Sequence, residues 1–217
     1  NRKKKRFVIT VRPGPHQKNS SIPTAVLLRD TLKKVKTLRE AKSSIYNGRV
    51  KVDGLIRKSL HHSIGLMDVI ELEGVTDVYR LVPNNGQILQ PIKIDSAEKS
   101  KKLVKVKSKT TIKGGKTQFG FHDGRTIITD ADANIDDTCI LQIPEQKILD
   151  VIKFEKNSQV IIIKGTNAGR IGTINEIKEG TFTLPKRINL LIDDKTIEIP
   201  ANITMVVGKE KSVIQIR

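Results

Sequence analysis

The chain has 217 residues, with 40 Lys and Arg against 23 Asp and Glu, a formal net charge of +17. At 37% hydrophobic it can bury a core, which excludes wholesale disorder, and no apolar run approaches the ~20 residues of a membrane span. Its one cysteine, Cys139, excludes an intrachain disulfide and a cysteine-type zinc site, and points to a reducing compartment.

Residues 1–22 read as a basic arm, expected to be disordered alone and to order against a partner. Within it Phe7–Val11 could pair as a short strand before Pro13-Gly14-Pro15 breaks it. Because the chain starts at Asn1 rather than Met, the native N-terminus is expected to precede it. Pro23 predicts the start of a first helix capped by Ser21 or Thr24, with Val26, Leu27 and Val35 as its apolar stripe. Thr37-Leu38-Arg39-Glu40 is a capping box that opens a second helix running to Asn47, with Gly48 left-handed beyond it. Leu38, Ala41 and Ile45 make its packing face, while Arg39, Lys42, Tyr46 and Arg49 make a positive one. Val50 and Val52 point inward, Arg49 and Lys51 outward, and Asp53-Gly54 predicts a tight hairpin. A glycine-containing turn at 64–68 then leads into another strand.

From Val75 the helical signal fades. Eleven strand-like runs follow, the first at Tyr79–Val82 and the last at Met205–Val207, with Lys99–Lys116 expected to be a mobile basic loop. So many short strands predict an α+β, mostly β chain in which two small β-barrels follow the helical unit, with a seam near residues 150–155. The resulting division is 1–22 (basic arm), 23–76 (helical unit), 77–152 (central barrel) and 153–217 (C-terminal barrel).

Charge is segregated along this order. Residues 1–60 carry a net +14, residues 61–79 a net −4, residues 80–125 a net +8 and residues 126–217 a net −1. Solubility needs no such segregation, whereas a polyanionic partner does. With 3% aromatic residues and no Trp, recognition through phosphates and shape is expected, not stacking platforms.

Enzymatic motifs are absent. Lys113-Gly114-Gly115-Lys116-Thr117 mimics a Walker A end, but Thr110 stands where the motif needs glycine, and a helix cannot follow. His61 and His62 lack a spaced His or Cys partner, so they read as loop histidines near the basic rim, not metal ligands. The acid pairs 130/132, 136/137 and 193/194 sit in turn-like stretches, and no serine or cysteine has a nucleophile-elbow context. In Val160–Ile174 two strands flank a loop with Gly165, Gly169 and Gly172. That is not a phosphate-cradling loop, and its glycines suit a tight corner that brings backbone close to a partner.

The run from Leu28 through Thr37–Lys42 and Asn47–Gly54 to Gly65–Ile70 resembles the alpha-L RNA-binding motif, and Val160–Ile174 resembles a KOW motif, found in SH3-like barrels. Arg12-Pro-Gly-Pro-His16, Ser21-Ile-Pro23, Gly65–Val69 and His122-Asp-Gly-Arg125 extend the likeness. Together the segments resemble the archaeal/eukaryotic family of small-subunit ribosomal protein four, archaeal members above all, and the further basic leader with which that family begins is expected to lie before Asn1.

The resemblance implies a non-enzymatic structural constituent of the small ribosomal subunit, cytoplasmic and ribosome-bound. Its partners would be ribosomal RNA and neighbouring ribosomal proteins, with no cofactor, metal, membrane or small-molecule substrate. Phosphate contacts are expected from Arg29, Lys33, Lys34, Lys36, Arg39, Lys42, Arg49 and Lys51. Arg57, Lys58, His61 and His62, together with Arg2, Lys3, Lys4, Lys5, Arg6, Arg12 and Lys18 of the arm, would extend that surface. Lys113, Lys116 and Arg125 would add contacts from the second basic block, and Lys164, Asn167 and Arg170 from the KOW loop. An RNA-modifying enzyme and an RNA-binding transcription factor are the competing readings of the same modules.

Overall fold

The computed structural model describes residues 8–84, 86–193, 195–209 and 212–216. Arg2, Lys3, Lys4, Lys5 and Arg6 lie outside the described residues. The strands in chain order are β1 (Ile22–Pro23), β2 (Val50–Val52), β3 (Leu55–Ile56), β4 (Ser63–Ile64), β5 (Val69–Leu72), β6 (Val78–Asn84) and β7 (Gln87–Ile94). They continue with β8 (Lys101–Thr111), β9 (Thr117–Phe121), β10 (Thr126–Ile128), β11 (Thr138–Gln142) and β12 (Lys147–Ile152). The C-terminal set is β13 (Gln159–Ile162), β14 (Ile171–Lys178), β15 (Arg187–Ile192), β16 (Lys195–Pro200) and β17 (Thr204–Gly208). Two short helices, α1 (Thr24–Val26) and α2 (Leu38–Tyr46), precede most of them, so the chain is α+β and mostly β as expected.

α2 forms where the capping box places it. The Thr37 hydroxyl accepts from the Glu40 amide at 3.2 Å while the Glu40 carboxylate accepts from the amides of Thr37 and Lys36. Those donors hold the Glu40 carboxyl below its ordinary range. Gly48 closes the helix at φ +79°, as expected. Ala41 and Ile45 are fully buried, the isoleucine contributing about 1.5–3 kcal/mol. Leu38 is 40% exposed, contrary to its expected place in the packing face, because it lies on the first turn, which overhangs the core.

The first helix departs further from expectation. After one regular turn it widens at Leu27–Thr31, where the Leu32 amide reaches back five residues to the Leu27 carbonyl at 2.8 Å. Neither Ser21 nor Thr24 caps it. The carbonyls of His62 and Leu60 accept from the amides of Thr24 and Ala25, so the loop at 60–62 already satisfies the helix start.

Three five-stranded antiparallel sheets carry the rest, with β1 and β4 forming a small pair beside them. The first has the order β3-β2-β5-β6-β7, and Asp53 and Gly54 both take positive φ in the tight β2–β3 turn. The helices pack against this sheet through Ala25, Leu27, Leu28, Ala41, Ile45, Val50, Val52, Ile70 and Leu81. The second sheet, β10-β9-β8-β11-β12, closes over Val104, Val106, Phe119, Phe121, Cys139 and Leu141. The third, β16-β15-β14-β13-β17, forms a core that also takes in Met67, Val82, Leu103 and Ile140 from the other two. The second sheet holds the strand runs expected from 103 to 152 and the third those from 160 to 207, whereas the runs at Tyr79–Val82 and Leu89–Ile94, expected in the central barrel, join the first sheet as β6 and β7. The boundary expected at 76/77 falls between β5 and β6, which pair within the first sheet, whereas that at 152/153 separates strands of different sheets.

All eleven expected strand runs are present, and two segments differ. Lys99–Lys116 is not a mobile loop. Its first part is the eleven-residue β8, buried on both faces over residues 102–106 because Val104 and Val106 enter the central core while Leu103 and Lys105 face the C-terminal unit, and exposed from Lys107 onward. β9, unanticipated, pairs with it. In the arm, residues 8–11 form no strand, and Phe7 lies outside the described residues.

Candidate RNA-binding surface

The positive stripe of α2 is displayed as its spacing requires. Arg39, Lys42 and Tyr46 are exposed along one side, with the Lys42 ammonium 5.7 Å from the Tyr46 ring centroid. Lys51 on β2 and Lys58 after β3 are exposed too, and Arg39, Lys42, Lys51 and Lys58 make no ion pair among the described residues. Lys33, at φ +52°, and Lys36 are exposed on the α1–α2 connection.

Other candidates there are engaged within the chain. Arg29 donates two hydrogen bonds to Asp30, Lys34 lies 5.8 Å from the Tyr79 ring centroid and 3.8 Å from Asp77, and Arg49 approaches Glu73 at 4.0 Å. Arg57 is partly buried beside a cleft of about 390 Å³ that Asp53, His62, Lys102 and Arg125 also line.

The arm is anchored from within. Arg12 and Lys18 are exposed, but His16 is buried, and its Nε2 lies 3.0 Å from Asp68. His61 meets the Thr10 carbonyl through Nδ1 at 2.7 Å, so it fastens the arm and does not point freely to the rim. His62 is half-buried, and burial, with Arg57 nearby, depresses its pKa. Among the described residues no group of three or more His, Cys, Asp or Glu side chains could hold a metal ion.

Asp68 belongs to a buried ionic cluster centred on Lys102. The fully buried Lys102 ammonium contacts Asp68, Asp53 at 2.7 Å and Asp123 at 3.1 Å. Burial alone would favour a neutral amine, but the three carboxylates hold its pKa above the ordinary lysine value. Burial likewise pushes Asp68 upward, yet Lys102 and His16 pull its carboxyl well below the usual range. Arg125, expected on the RNA-facing surface, turns inward instead and binds Asp53 and Asp123. The cause is local: three buried carboxylates need more positive charge than one ammonium supplies.

Two further cations of the second basic block are internal. Arg80 is fully buried, contacting Glu98 and the carbonyls of Glu98, Lys101 and Gln215. Lys105 reaches the carbonyls of Ala201 and Thr204 at 2.8 and 2.7 Å and Asp136 at 2.9 Å, and burial lowers its pKa despite that acid. Lys113 and Lys116 remain exposed at the β8–β9 tip, where Gly114 and Gly115 take positive φ in open space. Lys107, unanticipated within the supposed loop, is exposed on β8.

The β13–β14 loop exposes Lys164 and Arg170, while Asn167 is partly buried and its carbonyl accepts from the Arg170 amide. Its glycines do bring backbone together, but within the chain. A Cβ on Gly169 would sit 2.4 Å from the Asn84 Cα, and the Gly86 amide donates to the Ala168 carbonyl at 2.9 Å. The loop is thereby clamped on the β6–β7 hairpin.

Residues 75–148 match the family described as Ribosomal family S4e. The small ribosomal subunit protein eS4 of Caldivirga maquilingensis is 38% identical over 208 residues, spanning 94% of this chain and 88% of that protein. The chain belongs to ribosomal family S4e. The eS4 of Methanothermobacter thermautotrophicus is 37% identical over 215 residues, spanning 99% of this chain and 89% of that one. The crystal structure of ribosomal protein S4e from Thermoplasma acidophilum superposes with a TM-score of 0.75 at 32% identity, spanning 88% of this chain and 96% of that one. The S4e family is one of ribosomal structural proteins, not enzymes.

The short segments that carried the S4e resemblance meet around Lys102. His16 stacks obliquely against His122, their centroids 6.1 Å apart, and a Cβ on Gly65 would strike the His16 ring at 2.4 Å. One on Gly124 would meet the Pro15 carbonyl at 3.1 Å. In this S4e chain those motifs therefore lock arm, helical unit and central sheet together.

Proposed function

We propose that this S4e chain is a structural constituent of the small ribosomal subunit, gripping ribosomal RNA chiefly through phosphates. The observation that supports it best is the set of exposed cations Arg39, Lys42, Lys51 and Lys58, which have no acidic partner among the described residues. Cations elsewhere in the chain, such as Arg80, Lys102 and Arg125, are neutralised internally. A patch left positive beside so many paired charges suits a polyanion. Arg12, Lys18, Lys33 and Lys36 extend it, and Lys113, Lys116, Lys164 and Arg170 add separate points of contact. The N-terminal lysines and arginines at 2–6 belong to the same basic arm. Neighbouring proteins of the subunit are its other partners, and the ribosome of the cytoplasm is its location. Its proposed units are 1–22, 23–76, 77–152 and 153–217, with β5 and β6 pairing across the second boundary.

Chemical footprinting of small-subunit RNA, with and without the purified chain, tests this reading. It predicts backbone protection at several discrete places, lost from one of them in Arg39→Ala/Lys42→Ala. Uniform weak protection, or none, would count against it.

A further inference from the structure

Seven residues of the whole chain are aromatic, which excludes a platform for successive bases but leaves room for a single one. Among the described residues, Phe119, Phe121, Phe154 and Tyr79 are buried. Two aromatic rings are exposed, Tyr46 at 50% and Phe182 beyond β14. Their surroundings differ. Near Phe182 the cations Lys178, Lys186 and Arg187 are each paired with Glu198 or Glu179, leaving little net charge. Tyr46 lies on the unpaired stripe with Arg39 and Lys42, at the C-terminal end of a helix whose other side is fixed by Ala41 and Ile45. Its hydroxyl has no hydrogen-bond partner among the described residues, and the Lys42 ammonium lies 5.7 Å from the ring centroid.

A ring exposed among unpaired cations offers a nucleic acid a π face for a base beside charges for its phosphates. A tyrosine side chain has only two torsions to fix, so little side-chain freedom is lost on contact. The cation beside it can pair a phosphate flanking the same nucleotide. We infer that an unpaired nucleobase of the bound RNA stacks on the open part of the Tyr46 ring, beside a phosphate held by Lys42, with Arg39 holding a further phosphate along the same helix. The inference rests on the RNA-binding reading above and adds a preference for structured RNA with an unstacked nucleotide over plain duplex. Stacking is tolerant of base identity, so no sequence code follows.

The test is equilibrium binding of the full chain and its Tyr46→Phe, Tyr46→Ala and Arg39→Ala/Lys42→Ala variants across a salt series. The probes are protein-free small-subunit RNA and a perfect RNA duplex of matched charge. Tyr46→Ala should weaken binding to the subunit RNA about tenfold, the size expected for one base–aromatic stack. It should leave the salt slope and the duplex affinity unchanged, because no phosphate contact is lost. Tyr46→Phe should bind as the parent does. The inference falls if Tyr46→Ala binds the subunit RNA normally or loses equal affinity for both RNAs, or if Tyr46→Phe is as weak as Tyr46→Ala. If Arg39→Ala/Lys42→Ala also binds normally, the phosphate-grip reading falls with it. A loss confined to that double variant removes the stacking alone.

Discussion

Lys102 shows how one residue can be mistaken for another kind. In the sequence it is one lysine in a run of many, yet it is fully buried with Asp53, Asp68 and Asp123 around its ammonium. Replacing it with Met keeps the volume but strands buried carboxylates, so Lys102→Met should lower unfolding stability by about 3–5 kcal/mol in denaturant titration. An unchanged midpoint would show that the carboxylates are not held by Lys102. Because the folded-state pKa of Lys102 is raised, its contribution is complete below the ordinary lysine value and fades only at higher pH. His122 works in the opposite direction. Burial, with Lys102 and His16 near, pushes its pKa down from 6.5 to about 4 against the pull of Asp123. The unfolded chain therefore takes up the proton first, and stability should fall by up to about 3 kcal/mol as pH drops from 6.5 to 4. His122→Gln should flatten that part of the pH–stability profile, and a profile equally steep without the histidine would assign it to other groups.

At the scale of elements, α2 and the β13–β14 loop are governed by different rules. The α2 start depends on neighbours three residues apart, so Thr37→Ala should cost about 1 kcal/mol and lower helicity by circular dichroism without touching the cation stripe. Gly169 answers to a segment far away in sequence. At φ +89° and with the Asn84 Cα where a Cβ would go, Gly169→Ala should destabilise by more than about 1 kcal/mol and expose the loop to proteolysis. Normal stability in that variant would mean that the loop does not need the clamp. This contrast explains what was legible beforehand. The capping box, the Asp53-Gly54 hairpin and the alternation of Val50 and Val52 are local, and they stand as read. The uncapped start of the first helix was not legible, because the amides of Thr24 and Ala25 are satisfied by carbonyls at 62 and 60, far away in sequence. Nor was the stretch 102–106 of β8 legible as buried on both faces, because periodicity shows one buried face and says nothing about a second unit packed on the other. Arg125 and Lys105 were opaque for the same reason: a charge count cannot tell an exposed cation from one paired across the fold.

For the whole molecule, the formal +17 therefore divides into two populations. One, with Arg80, Lys102, Lys105 and Arg125, joins the sheets to one another and to the C-terminal segment. The other, with Arg39, Lys42, Lys51, Lys58, Lys113, Lys116, Lys164 and Arg170, is exposed over several elements, which suits a component embedded at many points in a large RNA assembly. The distinction can be read from the salt dependence of binding to small-subunit RNA, where each phosphate contact contributes ~0.7–0.9 to the slope of log affinity against log salt. The slopes of the parent, Arg39→Ala/Lys42→Ala and Arg125→Ala, each confirmed as folded, should separate the populations. The double variant should lose roughly 1.4–1.8 from the slope, while Arg125→Ala should keep the parent slope and lose thermal stability instead. A double variant with the parent slope, or an Arg125→Ala variant that loses slope while keeping its stability, would contradict the assignment of these charges.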